Sequence, residues 1–223
     1  MGLATAILIL FWVQDEFSYD NYNVNSANTY RLTADYDMSG SRMQLAVTTP
    51  PMGETMIRDY PEVIKSTRLR QVGSRILGVG DQKFKVKDIT YADSTFFETF
   101  TIPILEGGDS RNLLNQPNFL MLSKETSERF FGDKSAVGKS IKIGSRSYLV
   151  SGIYDNIPDN THFHFDVLLS MSSLEESFSQ DFLGGNFHTY IQVHPTTDIE
   201  KLEDQMQEMI VRYLGPALEK VTG

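Results

Sequence analysis

The chain has 223 residues, enough for one large domain or two small ones around a real hydrophobic core. Its 29 acidic and 20 basic side chains give a net charge of −9 with no Lys/Arg cluster, which excludes a nucleic-acid partner and argues against docking on anionic lipid. Cysteine is absent, which removes thiol catalysis, Cys-ligated zinc and disulfides but leaves the compartment open.

The first thirteen residues carry no ionisable side chain, and Gln14-Asp15-Glu16 then changes the character of the sequence at once. Gly2–Val13 falls short of the roughly 20 apolar residues that a membrane-spanning helix needs. It is also wrongly flanked for a signal peptide. No basic residue precedes it, and bulky Phe11-Trp12-Val13 stands where small residues would mark cleavage. Ala6–Val13 is apolar all round, which as a helix suits either the centre of a large core or lipid. Trp12 sits where an interfacial aromatic belongs. The segment is therefore expected to be the outer end of a transmembrane helix that has lost its beginning.

Gln14–Asn23 can continue this helix before a break at Asn23–Asn25. Tyr30–Tyr36 alternates as a strand, Asp37–Ser41 is a turn, and Met43–Thr48 is a second strand that can pair with the first. Thr49-Pro-Pro-Met-Gly-Glu opens a helix with Thr49 as N-cap and proline in the first turn. That helix must stop before Pro61. Val63–Leu77 is β-rich and carries Lys65, Arg68 and Arg70. Gly78–Asp81 turns the chain, and Lys83–Thr90 alternates as a half-exposed strand.

Asp93–Phe100 predicts a short capped helix with Phe96 and Phe100 on one face and Phe97 beside them. Leu105–Gly108 is a turn. Phe119–Leu122 is a buried strand running into Ser123, the N-cap of a helix over Lys124–Phe131 that Gly132 closes. Gly138–Gly144 and Tyr148–Tyr154 form a hairpin. His162–Ser170 is a further strand, and Ser172 with Glu175 has capping-box spacing for a helix to about Phe178. After a strand at His188–His194, Ile199–Leu218 is the clearest amphipathic helix. Thr197 and Glu200 are at capping-box spacing, and Leu202, Met206, Met209, Ile210, Tyr213 and Leu214 form its apolar face. The sum is an α+β protein of two small packed mixed α/β subdomains, with no internal repeat, low-complexity tract or linker.

Few residues suggest chemistry. Gly138-Lys139-Ser140 resembles part of a phosphate loop, but the residue five before Gly138 is Asp133 and Ile-Lys-Ile follows, so a turn entering a strand is expected. His162, His164 and Asp166 share a parity and could hold zinc with water as fourth ligand. Solvent-facing alternation with Phe163 and Phe165 turned inward accounts for the same segment. Neither a nucleophile elbow, nor a Ser/Lys pair, nor an HExxH motif is present. No catalytic, cofactor-binding or metal residue is assigned, and the chain is expected not to be an enzyme.

The order of motifs carries more information than any single one. Trp12-Val-Gln-Asp-Glu-Phe-Ser-Tyr-Asp20, followed by Tyr30-Arg-Leu, resembles the membrane-exit segment of MacB-like (FtsX-like) ABC transporter permeases, particularly those of Bacteroidetes type. Asp93–Phe100, Leu105-Glu-Gly-Gly108, Pro117, Leu122-Ser123, Phe130-Phe-Gly132, Val137-Gly-Lys-Ser140, Val150–Asp155, Pro158 and His162-Phe-His-Phe-Asp166 follow in the family's order.

The resemblance implies an extracytoplasmic core domain, periplasmic in an inner-membrane protein, lying between the first two transmembrane helices. Residues 1–14 would end a truncated first membrane helix. Residues 15–82 and 155–220 would form a porter-like subdomain, and 83–154 an inserted smaller one. Phe96, Phe97, Phe100, Phe130 and Phe131 are expected to fill the core of that insertion.

The implied partners are a cytoplasmic ABC ATPase subunit or domain, a second permease copy or half, and a periplasmic adaptor, with no nucleic acid and no cofactor. Because the sequence has no Walker motif, ATP hydrolysis would belong to the partner. The implied role is to transmit ATP-driven motion and to contact partner or cargo, the helix Ile199–Leu218 leading back towards the membrane. The alternative is a membrane-tethered ligand-sensing module without transport.

Overall fold

A computed structural model describes residues 22–38, 41–158 and 160–222. Gly2–Val13, the expected end of a membrane helix, lies outside the described residues. Among the described residues no helix is long and apolar enough to cross a membrane.

The strands are β1 (Thr29–Arg31), β2 (Ala34–Met38), β3 (Ser41–Leu45), β4 (Val63–Gln71), β5 (Arg75–Val79), β6 (Gln82–Val86), β7 (Ile89–Ala92), β8 (Ile104–Glu106), β9 (Phe119–Ser123), β10 (Ser140–Ile143), β11 (Arg146–Tyr154), β12 (Val167–Ser170) and β13 (His188–Val193). The helices are α1 (Met52–Asp59), α2 (Phe96–Thr99), α3 (Lys124–Phe131) and α4 (Ile199–Thr222). Eleven strands form one mixed sheet in the order β1-β13-β4-β7-β12-β9-β11-β10-β5-β6, with β8 pairing β11. Only β7–β12 and β9–β11 are parallel pairs, and β2–β3 is a separate hairpin. This is the mixed α+β class that the pattern of short strands and scattered helices implies.

The middle of the sheet is covered on both faces, so β9 and β12 are almost wholly buried and read as continuous apolar runs rather than alternating ones. On one face Leu69, Ala92, Met121 and Leu168 meet Phe96 of α2, Phe100 directly after it and the segment carrying Phe163 and Phe165. On the other, Leu120, Leu122, Val150 and Leu169 meet Phe130 of α3. A third core joins α1 and α4 to the β1 end of the sheet through Met56, Leu202 and Met209 against Leu32, Val63, Ile191 and Val193. The five phenylalanines therefore do not fill one core. Phe96 and Phe100 belong to a core built with β4 and β13, Phe130 lies across the sheet, and Phe97 and Phe131 are only partly buried.

Several local expectations hold. The Ser123 hydroxyl accepts from Thr126 N–H (3.2 Å) at the start of α3, and Gly132 ends that helix with φ +59°. The hairpins β2–β3 and β10–β11 form.

Others are corrected, each for a local reason. The strand expected over Tyr30–Tyr36 divides at Leu32-Thr33: β1 pairs β13, Leu32 drops its side chain into the third core, and β2 leaves for the hairpin. Thr49 does not cap α1; the helix begins at Met52 after Pro51, and the buried Thr49 hydroxyl has no hydrogen-bond partner among the described residues. The strand expected from His162 begins only at Val167, because the Phe165 carbonyl is taken by the Tyr154 hydroxyl (2.9 Å) instead of a neighbouring strand. Ser172 to Phe178 is two 3-10 turns, Met171–Ser173 and Glu175–Phe178, with the Ser172 hydroxyl against Ser170 (2.7 Å) rather than capping a helix. At α4 the cap is Asp198, which accepts from Lys201 N–H (3.2 Å), and the buried Thr197 hydroxyl has no hydrogen-bond partner among the described residues.

The boundary expected at residues 82/83 falls inside β6, whose partner β5 also pairs β10.

Candidate functional site at the C-terminal helix

The amphipathic spacing of α4 buries Leu202 and Met209 against α1 and the sheet and leaves Glu200, Glu203, Asp204 and Glu208 in solvent. Beyond this packed half the helix is held by polar contacts. The Tyr60 hydroxyl donates to the Gln205 carbonyl (3.1 Å). The Tyr213 hydroxyl donates to Asp59 Oδ2 (2.6 Å) and accepts from Arg58 Nη2 (2.8 Å), while Arg58 Nε donates to Asp59 Oδ1 (2.8 Å). On its ring side Tyr213 stacks on Phe182, with centroids 4.8 Å apart and planes 14° apart.

The last turn of α1 thus supplies a latch for α4. Hydrogen bonds from Arg58 and then from Tyr213 hold the Asp59 carboxyl below the usual carboxylate range. A group with a depressed folded-state pKa stabilises above its unfolded value and loses that contribution as pH falls through the folded one. Tyr213→Phe is accordingly expected to cost about 1 kcal/mol near neutral pH. Its difference from the parent should shrink as pH falls below about 4, the ordinary aspartate value. Urea denaturation of both proteins across roughly pH 2.5–7, which spans the titration of an aspartate, checks this; a difference independent of pH would detach the Tyr213 hydroxyl from Asp59.

Beside the latch, α4, α1 and the β1–β2 connection enclose a groove of about 510 Å³. Met52, Leu202, Met206 and Met209 form its floor, with Arg31 and Glu203 among the polar residues that line it. Its size is that of a small-molecule or peptide side-chain site, and methionines adapt to irregular occupants. The unpaired Thr49 hydroxyl also lines it.

A second set of contacts ties the latch to the centre of the sheet. Arg68 of β4 is 8% exposed. It forms a two-pronged pair with Asp93, Nε to Oδ2 at 2.9 Å and Nη2 to Oδ1 at 3.0 Å. Its Nη1 donates to the carbonyls of Pro50 and Ser177, and its guanidinium lies over the Phe187 ring. Burial disfavours the Arg68 charge, but the Asp93 hydrogen bonds and charge outweigh it and the pKa is raised.

Two more arginines hold the same crossing segment, Arg70 through Glu176 (2.6 Å) and Arg146 through the Ser173 carbonyl (2.7 Å). Residues 171–178 are thus strapped over the sheet by three arginines from two strands, β4 and β11. The chain continues from the strap to Phe182, the ring beneath Tyr213. At Gly185 a Cβ would lie 2.1 Å from the Thr48 carbonyl, so only glycine fits where this loop passes the start of α1.

Sequence reasoning singled out neither Arg68, Asp93 nor Asp59. The signals available were a basic residue inside an otherwise β-rich run and an acidic residue before Pro61, both of which default to a solvated face. The residues it did consider lie elsewhere. Gly138 has φ +80° and turns the chain into β10, and the Lys139 ammonium lies 4.3 Å from the Phe131 ring centroid. His162 Nε2 is 2.6 Å from the Tyr190 hydroxyl, Phe163 and Phe165 point inward, and His164 is exposed. Among the described residues, no group of three His, Asp or Glu side chains could hold a metal ion.

A family model described as the MacB-like periplasmic core domain matches residues 1–209. No curated protein matches the chain significantly. Among solved structures, a domain assigned to a permease protein of Porphyromonas gingivalis superposes with a TM-score of 0.76 at 16% identity, covering 86% of this chain and 83% of that one. The periplasmic region of MacB from Actinobacillus actinomycetemcomitans gives 0.62 at 14% identity, over 84% and 85% of the two chains. The extracellular domain of the noncanonic ABC-type transporter YknZ from Gram-positive bacteria gives 0.54 at 15% identity, over 78% and 86%. At these identities the structures establish a shared fold.

Proposed function

The chain belongs to the MacB-like periplasmic core domain family of ABC transporter permeases, and from that premise we propose that it carries motion between a membrane part and the extracytoplasmic space. The motion originates in ATP hydrolysis by a cytoplasmic ABC ATPase partner. The domain in turn contacts a second permease copy or half, an adaptor or cargo. One observation carries this reading: Leu32, directly after β1, and α4 pack into one core at the β1 end of the sheet, and these are the first strand and the last helix among the described residues. Displacement of either chain end reaches the same packed block, and the latch and arginine strap extend that block to the sheet centre.

Within this reading the chain divides into a porter-like part and an insertion. Residues 83–154 contribute β7 to β11, and moving the first boundary back to include β5 gathers strands that pair with one another, β5 with both β6 and β10.

The test uses the complete permease with its ATPase in membranes. These 223 residues contain no cysteine, so Ser145→Cys, on the exposed β10–β11 turn, provides a single label site within them, read against the same permease with Ser145 retained. It is expected to react with a membrane-impermeant maleimide in intact cells. Asp59→Cys with Arg212→Cys, whose parent side chains approach to 4.0 Å, is then bridged by a cleavable bis-maleimide. Bridging is expected to change the ATP hydrolysis rate at least about twofold, a shift of roughly 0.4 kcal/mol in barrier, and cleavage to restore it. Failure to label overturns the extracytoplasmic placement, and an unchanged rate overturns the transmitting role.

A further inference from the structure

The sheet leaves one face bare at its far end. Arg70 pairs Tyr91, Tyr91 pairs Leu169, Leu169 pairs Leu120 and Leu120 pairs Val150, so these residues share a face with Arg68 and with the strand positions under α1. Through Tyr148–Ile141, Ile143–Leu77 and Leu77–Phe84 the same face continues to β6, where it is buried beside α3. The alternate positions of β5, β6, β10 and β11 therefore point the other way. They place Lys83, Lys85, Lys142, Gly78, Ile76 and Leu149 on one surface, with no Asp or Glu at those positions.

This surface differs from an ordinary solvated sheet in three respects. The chain has net charge −9, yet this face presents three lysines, and among the described residues none of them forms an ion pair. Ile76 on β5 and Leu149 on β11 share this face, 62% and 42% exposed, apolar surface that a docked partner would remove from water. Gly78 sits opposite Lys142 in the register, and a Cβ there would meet nothing closer than 3.4 Å. No contact within the molecule therefore demands glycine, while its absent side chain lets another backbone approach.

We infer that this face docks a carboxylate-rich, amphipathic segment of another protein, its acidic residues on Lys83, Lys85 and Lys142 and its apolar ones on Ile76 and Leu149. Charge complementarity of this kind sets partner choice and association rate. The acidic side of α4 also has matching charge, but α4 packs on the opposite sheet face at the β1 end, whereas the lysines lie on β10 and β6. Two copies therefore cannot join these two patches around a single two-fold axis, and the inference commits to a different protein as the partner. The inference gives a location and a chemistry to the partner contact in the proposed function.

The test places p-benzoylphenylalanine at position 76 of the complete permease in its own cell envelope. Ultraviolet light is expected to give a protein adduct whose cross-linked peptide is rich in Asp and Glu with interspersed apolar residues. In the combined variant Lys83→Glu, Lys85→Glu and Lys142→Glu the adduct is expected to fall at least about tenfold, or 1.4 kcal/mol in affinity. With arginine at the three positions it should persist, and raising salt should weaken it. An adduct with a second copy of this chain, an adduct with lipid only, a yield indifferent to charge reversal, or no adduct overturns the proposal. Labelling at Ser145→Cys in the same cells reports the domain's placement independently, so a missing adduct beside normal labelling sinks the docking surface alone.

Discussion

Arg68→Ala is expected to destabilise the domain by about 3–5 kcal/mol, the cost of breaking a buried ion pair from one side. The cost comes from the groups left behind. The Asp93 carboxylate would lose both prongs of the pair and retain, among the described residues, the Arg68 backbone N–H (2.8 Å) as donor. The Pro50 and Ser177 carbonyls would lose the Arg68 donor as well. Arg68→Lys should recover little, because one ammonium cannot match the two-pronged geometry and still reach both carbonyls. Replacing the pair together, Arg68→Met with Asp93→Leu, should be milder than Arg68→Ala, since no charge is then stranded. Urea denaturation of the four proteins reads the ranking. A loss below about 1 kcal/mol for Arg68→Ala, the size of an exposed pair, would show that this pair is solvated in solution and that the strap is not anchored through it.

The same variant bears on function through the strap. Ser177 follows directly on the segment that Arg70 and Arg146 hold, and the chain runs from there to Phe182 beneath Tyr213. Loss of the Arg68 anchor should therefore loosen the loop that supports the α4 latch. Amide exchange in residues 179–187 should rise more than exchange in β9 or β12, which are buried on both faces and open only with global unfolding.

What the sequence makes legible here follows from how local the cause is. The α3 cap at Ser123, its closing Gly132 and the hairpins depend on neighbours a few residues apart, so the pattern names them correctly. The family resemblance rests on motif order and needs no geometry. The corrected features share a different cause, a partner far away in the chain. His162–Asp166 keeps strand-like alternation, with Phe163 and Phe165 inward, yet its backbone is diverted by the Tyr154 hydroxyl. Thr197 has capping-box spacing, but Asp198 beside it holds the position. Arg68, Asp93 and the Asp59 latch are contacts across 25 and 154 residues, and no spacing rule reaches that far. The unpaired lysine face is equally invisible until the sheet register shows which positions of four strands lie together.

Phe96→Ala should be the most costly of the aromatic truncations, at about 3–5 kcal/mol, and its comparison with Phe97→Ala decides how α2 is seated. The spacing of the Phe96, Phe97 and Phe100 cluster suits either ring as the anchor, and Phe97→Ala carries that full cost only if Phe97 is fully buried. It is not: Phe97 packs at the edge of the core, whereas Phe96 is 0% exposed. The Phe96 ring meets Phe97, Phe100, Phe163 and Phe165 with centroids 5.0–5.9 Å apart, three of the four pairs steeply inclined as aromatic quadrupoles prefer. Removing it leaves a cavity bounded by the sheet on one side and by rings that are themselves in contact, Phe163 stacked on Phe165 at 5.2 Å, so collapse into the space is restricted. Phe97→Ala removes a ring that already faces partly outwards and should cost about 1–2 kcal/mol. Because α2 is a single turn with no side-chain cap, its position comes from this burial rather than from helix propensity. Thermal melting of both variants measures the order. Equal losses, or a larger loss at Phe97, would mean that α2 is rotated about its axis, and would separate Glu98 from Lys65, its ion-pair partner on β4 at 2.8 Å.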